Sequence, residues 1–298
     1  MIGYTNYNTI LREKFGARVQ KISINAGFTC PNRDGRVGWG GCTFCNNQTF
    51  HPDYCTPTKS VVQQMSEGID FFRRYEGQLY LAYFQAYTNT YAPLDQLKRM
   101  YEDVLELPNV VGIVVGTRPD CVDERLLDYF AKLSEQCYVM LEYGVESTND
   151  VTLQRINRGH NYHQSVWATT ETAARGINTG AHLILGLPGE CDADVISHAE
   201  KISLLPLDMI KLHQLQIVRG TTLAHEWIAN PEIVHLYTLD EYIDVCVTFI
   251  KHLSPHIAIE RFISQSPSDM LLAPAWGVKN YEFVDKLNKR LQEINSLE

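Results

Sequence analysis

Short runs of β-branched and aromatic residues alternate along this chain with longer stretches in which apolar residues recur every three or four positions. The runs at 19–27, 79–84, 110–117, 138–145, 181–187 and 209–218 predict six strands. The stretches at 59–75, 94–105, 123–133, 161–175 and 192–204 predict the helices between them. Regular alternation implies βαβ units, a parallel sheet and right-handed crossovers that place helices on its outer face. Six such units over roughly 200 residues suit an α/β fold built as a partial (β/α)6 barrel of the TIM type better than a closed eight-stranded one.

Beyond Arg219 the pattern loosens into a helical stretch at 238–253, a short apolar run at 257–262 and an amphipathic stretch at 280–294. We expect a core at 1–250, with an N-terminal extension and a long loop at 28–50, and a helix-and-strand cap at 251–298 packed on it. In parallel α/β architectures ligands gather at the carboxyl ends of the strands. Those ends are polar here: Gln85-Ala86-Tyr87-Thr88-Asn89-Thr90-Tyr91, Gly116-Thr117-Arg118-Pro119-Asp120, Gly144-Val145-Glu146, Gly186-Leu187-Pro188-Gly189-Glu190, and Lys211, His213, Gln214 and Gln216 on the sixth strand.

Composition narrows the class. With 45% hydrophobic and 20% charged residues, the 298-residue chain is an ordinary globular protein, which excludes collagen-like, disordered and coiled-coil readings. No apolar run approaches the ~18 residues of a membrane span, and residues 1–14 lack the apolar core of an export signal. A cytoplasmic protein is expected. A net charge of −9 argues against a broad nonspecific nucleic-acid binder. Eight cysteines without an export signal are better explained as buried, metal-bound or catalytic than as disulfides.

Three of those cysteines stand apart. Cys30, Cys42 and Cys45 have eleven and then two residues between them, on a glycine-laden loop after the first strand. A structural zinc would need a fourth ligand, for which Cys55 or His51 is in reach. Three thiolates on an iron–sulfur cluster would instead leave one iron open to a small molecule. Spacing alone leaves both open.

The strings Cys30-Pro31-Asn32-Arg33-Asp34-Gly35, Gly40-Gly41-Cys42-Thr43-Phe44-Cys45, Gln85-Ala86-Tyr87-Thr88-Asn89-Thr90-Tyr91, Gly116-Thr117-Arg118-Pro119-Asp120, Ile156-Asn157-Arg158-Gly159-His160 and His182-Leu183-Ile184-Leu185-Gly186-Leu187-Pro188-Gly189-Glu190 carry a specific resemblance. Over residues 4–277 the chain resembles the radical S-adenosylmethionine (SAM) superfamily, in its Elongator-catalytic-subunit-like branch, and within that the bacterial YhcC/YtqA-type family. The resemblance implies a radical SAM enzyme with the superfamily's partial barrel. Cys30, Cys42 and Cys45 would hold a [4Fe–4S] cluster whose open iron chelates SAM, and reduction would cleave SAM to a 5′-deoxyadenosyl radical.

The same resemblance assigns SAM contacts. Phe44 would lie near adenine, Gln85 near the methionine amino group, Thr117 and Glu146 near ribose, Arg158 on the SAM carboxylate, and Gly186 and Pro188 against adenine. Gln85-Ala86 stands where the superfamily usually has Gly-Gly-Glu. The wider branch suggests transfer RNA, at a wobble uridine, as substrate, and an electron donor such as flavodoxin or ferredoxin. Phosphates could be met by Arg33, Arg36, Arg155, Arg158, His160 and His163, with Lys279, Lys286, Lys289 and Arg290 extending a basic edge. Tyr83 reads as core, Tyr87 and Tyr91 as substrate flanks, and His213 and Gln214 as facing opposite sides of their strand. A metabolite or protein substrate, and a non-enzymatic zinc-stapled binding domain, are the alternative readings.

Overall fold

The structure, a computed structural model, describes residues 3–47, 52 and 54–297. Nine strands follow in chain order: β1 Val19–Ile24, β2 Leu79–Phe84, β3 Val110–Thr117, β4 Tyr138–Glu146, β5 Asn178–Leu185, β6 Met209–Gln214, β7 Ile217–Val218, β8 Ala258–Arg261 and β9 Leu271–Ala273. The helices are α1 Tyr7–Phe15, α2 Val61–Phe72, α3 Leu94–Leu105, α4 Glu124–Ser134, α5 Asp150–Arg155, α6 Tyr162–Ala174, α7 Asp192–Ser203, α8 Thr222–Ala229, α9 Leu239–His252 and α10 Asn280–Leu297. Seven strands form one parallel sheet in the order β1-β2-β3-β4-β5-β6-β8, curled into a half-barrel. The apolar run at 257–262, expected in the cap, supplies the seventh of them.

Alternate positions along each strand face opposite ways, so the sheet divides the core in two. Ile22, Ile24, Phe84, Val115, Leu141, Tyr143, Leu183 and Leu212 face the helix layer and form the larger apolar core. Leu81, Tyr83, Val114, Tyr138, Met140, Met209 and Ala258 face the other way, and Tyr7 and Leu11 of α1 pack into them. Residues 4–18 carried no predicted element; they form α1, which lies against the two edge strands β1 and β8 and closes the base. The predicted sixth strand breaks at Leu215. Gln214 and Gln216 turn aside to bond Ser264 and Ser266, strapping that loop across the sheet's carboxyl end. No helix among the described residues is long and apolar enough to cross a membrane.

Close approach of β3 and β4 depends on Gly112. A Cβ there would lie 2.0 Å from the Tyr138 carbonyl oxygen, its register partner across the ladder. Because backbone cannot swing aside as a side chain can, Gly112→Ala is expected to cost roughly 1–3 kcal/mol of unfolding free energy, read by urea denaturation. An unchanged midpoint would show that the two strands yield more easily than a packed sheet should.

Candidate active site

Above the apolar base the barrel interior becomes charged. Glu142 of β4 is fully buried and receives Lys21 of β1 at 2.9 Å, Lys211 of β6 at 2.6 Å and His182 of β5 at 2.9 Å. Lys21 and Lys211 also reach Glu260 of β8, at 2.5 and 3.6 Å. Burial raises a carboxyl's pKa, yet the two ammonium groups and the imidazole outweigh it and hold Glu142 well below the usual carboxylate range. Lys211 also lies over the Tyr83 ring, 4.4 Å from its centre. Neither Glu142 nor Lys211 was singled out as a partner pair from the sequence. The available signal was a charged residue at alternating positions in strands otherwise buried on both faces.

A cavity of about 210 Å³ opens above this layer, at the carboxyl ends of the strands. Cys30, Cys42 and Cys45 border it, together with Phe44, Gln85, Thr117, Glu146 and Arg158, so most of the residues predicted from the sequence share one wall. Tyr83 also lines it, and so do both His213 and Gln214, because β6 ends there and its alternation stops. Gly186 and Pro188 do not line it. They are buried, and the open face of left-handed Gly186 is filled by the Tyr237 ring, where an added Cβ would meet carbon at 2.9 Å.

The cysteine loop is held from three sides. Thr43 N–H donates to the Ile156 carbonyl at 2.9 Å, its own carbonyl accepts from Leu223 N–H at 2.8 Å, and Asn46 bonds the Arg219 carbonyl at 2.9 Å. Asn157, in the left-handed region, reaches back to the Gly41 carbonyl at 2.8 Å. Donors then converge on the sulfur atoms. Arg158 Nη1 lies 3.6 Å and Asn32 Nδ2 3.8 Å from Cys42 Sγ, and Arg118 Nη1 lies 3.9 Å from Cys30 Sγ. Arg118 is itself buried and pairs with Asp120 through two bonds of 2.8 Å, while its third nitrogen bonds the Arg158 carbonyl. Burial alone would raise the Asp120 carboxyl; the Arg118 fork outweighs it and holds the group below its ordinary range. Burial and the neighbouring Cys42 push the Cys45 thiol up to about 11.

Glu146 ends β4 in the left-handed region, uncommon for a residue with a side chain, and such strain of roughly 1–3 kcal/mol gathers at functional sites. Its carboxylate lies 3.6 Å from Arg158. The two fit beside each other because residue 144 is glycine: a Cβ there would come within 2.6 Å of both. Thr117 shares a 2.6 Å hydroxyl bond with Thr90, and Gln85 bonds Ser23 at 2.8 Å. Phe44 is partly buried against the apolar cluster that includes Ile184, Leu187 and Leu215.

A metal ion requires donors at about 2.3 Å from one point. Among the described residues no group of three or more His, Cys, Asp or Glu converges in that way. Three thiols spread around one cavity, each backed or neighboured by N–H donors, fit a larger anionic iron–sulfur group better. Cys55, one expected fourth zinc ligand, is instead in the helix-side core with Tyr54 and Ile22. The other, His51, lies outside the described residues.

Comparison with known proteins agrees with this geometry. Residues 27–202 match the profile of the Radical SAM superfamily, and residues 207–293 that of the Radical SAM C-terminal domain. The chain belongs to the radical SAM superfamily. It is 37% identical over 284 residues to Protein YhcC of Escherichia coli strain K12, covering 95% of this chain and 90% of that one. It is 32% identical over 302 residues to the uncharacterized protein YtqA of Bacillus subtilis, covering 98% and 91%. Among solved structures, archaeal Elp3 of Methanocaldococcus infernus superposes with a TM-score of 0.70 at 17% identity, over 94% of this chain and 64% of that one. Coproporphyrinogen III oxidase HemN of Escherichia coli superposes at 0.55 with 16% identity, over 79% and 52%. The chain thus spans less than two thirds of either solved structure. As a radical SAM enzyme it uses a [4Fe–4S] cluster and SAM.

Of the basic residues expected to meet phosphates, several are already committed. Arg155 pairs with Glu226 at 2.6 Å, Arg290 with Asp244 at 2.8 and 3.1 Å, and Arg158 and His160 are buried. Burial and the nearby Arg158 cation push His160 down to about 3, so it stays neutral. Lys286 and Lys289 lie on the exposed side of α10, which packs on α9 in the outer layer. What remains at the cavity rim is different: Arg33 and Arg36 lie over the Tyr87 and Tyr91 rings at 5.9 and 5.5 Å, beside a 75% exposed Trp39.

Proposed function

We propose that the enzyme applies radical SAM chemistry to a base of transfer RNA, at the wobble uridine. Cys30, Cys42 and Cys45 hold the cluster, and Arg118, Arg158 and Asn32 direct N–H groups at the ligand sulfurs to offset their negative charge. When bound and reduced, the cluster and SAM supply a 5′-deoxyadenosyl radical. Arg158, whose Nε has no partner in the protein, keeps a donor for the SAM carboxylate. Glu146 accepts from the ribose hydroxyls, with Thr117 and Gln85 on the same wall. The adenine contact expected of Gly186 and Pro188 passes to Phe44, Ile184 and Leu215, which with Val218 are the aliphatic and phenyl side chains lining the cavity. A flavodoxin or ferredoxin supplies the electron, and the eight free cysteines suit the reducing cytoplasm.

The RNA assignment rests on the rim. Trp39 closes a tight loop by pairing with Asp34, and its ring is laid over Gly35, where a Cβ would clash with it at 2.3 Å. A large aromatic held in place yet exposed, beside two arginines stacked on tyrosines, is the arrangement that grips an unstacked base and its phosphates. Relatives support it: tRNA uridine(34) acetyltransferase of Methanocaldococcus infernus is 25% identical over 199 residues, 63% of this chain and 36% of that one. Trp39→Ala is expected to weaken binding of unfractionated tRNA by about 1–3 kcal/mol, the worth of one stacked base, in a fluorescence-anisotropy titration. Arg36→Ala should lower the slope of log affinity against log salt by about 1. Absence of any tRNA binding by the parent protein would point instead to a metabolite or protein substrate.

A further inference from the structure

The cavity holds donors that the SAM site does not use. Arg261, the last residue of β8, lines the cavity, and its Nε has no partner. Its Nη2 lies 3.5 Å from His213 Nδ1. A guanidinium has no lone pair to offer, so His213 Nδ1 is the acceptor there and the ring proton sits on Nε2. That Nε2 also has no partner, while Ser264 bonds the Nδ1 side. Two N–H donors on adjoining side chains thus stand buried without acceptors, a costly arrangement unless a ligand supplies them.

Charge identifies the ligand. Below, Lys21 and Lys211 are matched by Glu142 and Glu260; on the cysteine side, Arg118 is matched by Asp120 and Arg158 by Glu146. Burial lowers both His182 and His213, so the two stacked imidazoles, 5.1 Å apart, are neutral. Among the described residues Arg261 lies within ion-pair distance of no carboxylate, so its positive charge is uncompensated; Arg33, on the cysteine loop, meets no carboxylate either but is tied to the Cys45 carbonyl at 2.8 Å. A planar fork with a single surplus charge suits a planar monoanion better than a phosphate dianion.

We infer that Arg261 and His213 form a carboxylate subsite, which holds a carboxylate on the part of the substrate that enters the barrel. That this ligand is the substrate rests on the radical SAM reading of the cavity. Whether the carboxylate is borne by a modified nucleoside or by a free metabolite is decided by the experiment below.

The test uses anaerobically reconstituted, unreduced protein saturated with SAM, so that SAM occupies its own site. Carboxyl-labelled acetate is titrated in and followed by carbon NMR line broadening, with acetamide as the neutral isostere and inorganic phosphate as the dianion. Acetate should bind, acetamide should not, phosphate should bind more weakly, and Arg261→Gln should weaken acetate at least tenfold. His213→Phe, which keeps the ring and removes the N–H, should weaken it severalfold and serves if the arginine variant misfolds. Equal affinity for acetate and acetamide, tighter binding of phosphate, undiminished binding in Arg261→Gln, or loss of acetate binding when SAM is added would each overturn the subsite. Competition of bound acetate by tRNA assigns the carboxylate to the nucleoside, and its absence assigns it to a metabolite. Failure of the reduced parent protein to form 5′-deoxyadenosine would count against the radical reading alone, since the titration needs no reduction.

Discussion

Cys42→Ala is expected to yield colourless protein after anaerobic reconstitution and no 5′-deoxyadenosine above background when reduced with SAM. The reason is geometric. Cys42 is the most enclosed of the three cavity cysteines, and Arg158 and Asn32 both direct N–H groups at its sulfur. Removing that sulfur deletes one of three anchors and leaves a buried guanidinium facing methyl carbon. A cluster on two thiolates is not retained, and SAM then has no open iron to chelate. Cys55→Ala, which deletes one of the two fourth ligands open to a zinc staple, should keep the brown colour and the product, because Cys55 packs in the helix-side core away from the cavity. Retained SAM cleavage in Cys42→Ala would remove the ligand assignment, a colourless Cys55→Ala beside a brown parent would make Cys55 a cluster ligand, and a colourless parent holding one zinc would restore the zinc reading.

Glu142→Ala is expected to lower unfolding free energy by about 3–5 kcal/mol, the usual cost of breaking a buried pair from one side. Glu142 is the shared partner of Lys21, Lys211 and His182, with a side chain entirely out of solvent. Without it Glu260 must answer two ammonium groups alone. Glu142→Gln, which keeps shape and loses charge, should fall between. Because the folded carboxyl titrates below its unfolded value, its stabilisation is present above the unfolded pKa of about 4.3 and fades as pH falls through the folded value. The parent protein should therefore lose its advantage over Glu142→Gln on acidification below about pH 4. A loss under about 1 kcal/mol for Glu142→Ala at neutral pH would mean the layer behaves like a surface pair.

The layering of the barrel explains what was legible in advance. Strand and helix identities follow from local periodicity, and β2 and β3 fall where the apolar runs lie. The cysteine loop was visible too, since spacing and glycines are properties of the chain itself, and so was the shared wall of Phe44, Gln85, Thr117, Glu146 and Arg158 once the family resemblance was seen. Helix α1 was not: Tyr7, Ile10, Leu11 and Phe15 keep helical spacing, but a nine-residue helix is too short to stand without the barrel base that it covers. The end of β6 at Gln214 depends on Ser264 and Ser266, some fifty residues away, and no local signal marks it.

Long-range partnership is the general limit. Sequence alone determined the alternation of elements, the thiol loop and the family, because each is written within a few tens of residues. Only the tertiary structure decided which charges meet. Lys21, Glu142, Lys211 and Glu260 come from four strands and become one network because the curled sheet turns all four side chains into one interior, although none is the register partner of another. The same folding spends Arg155 and Arg290 on surface ion pairs and turns Gly186 toward Tyr237. It also leaves Arg261 facing the cavity without a carboxylate, since whether a cation is paired depends on neighbours that the linear chain does not specify.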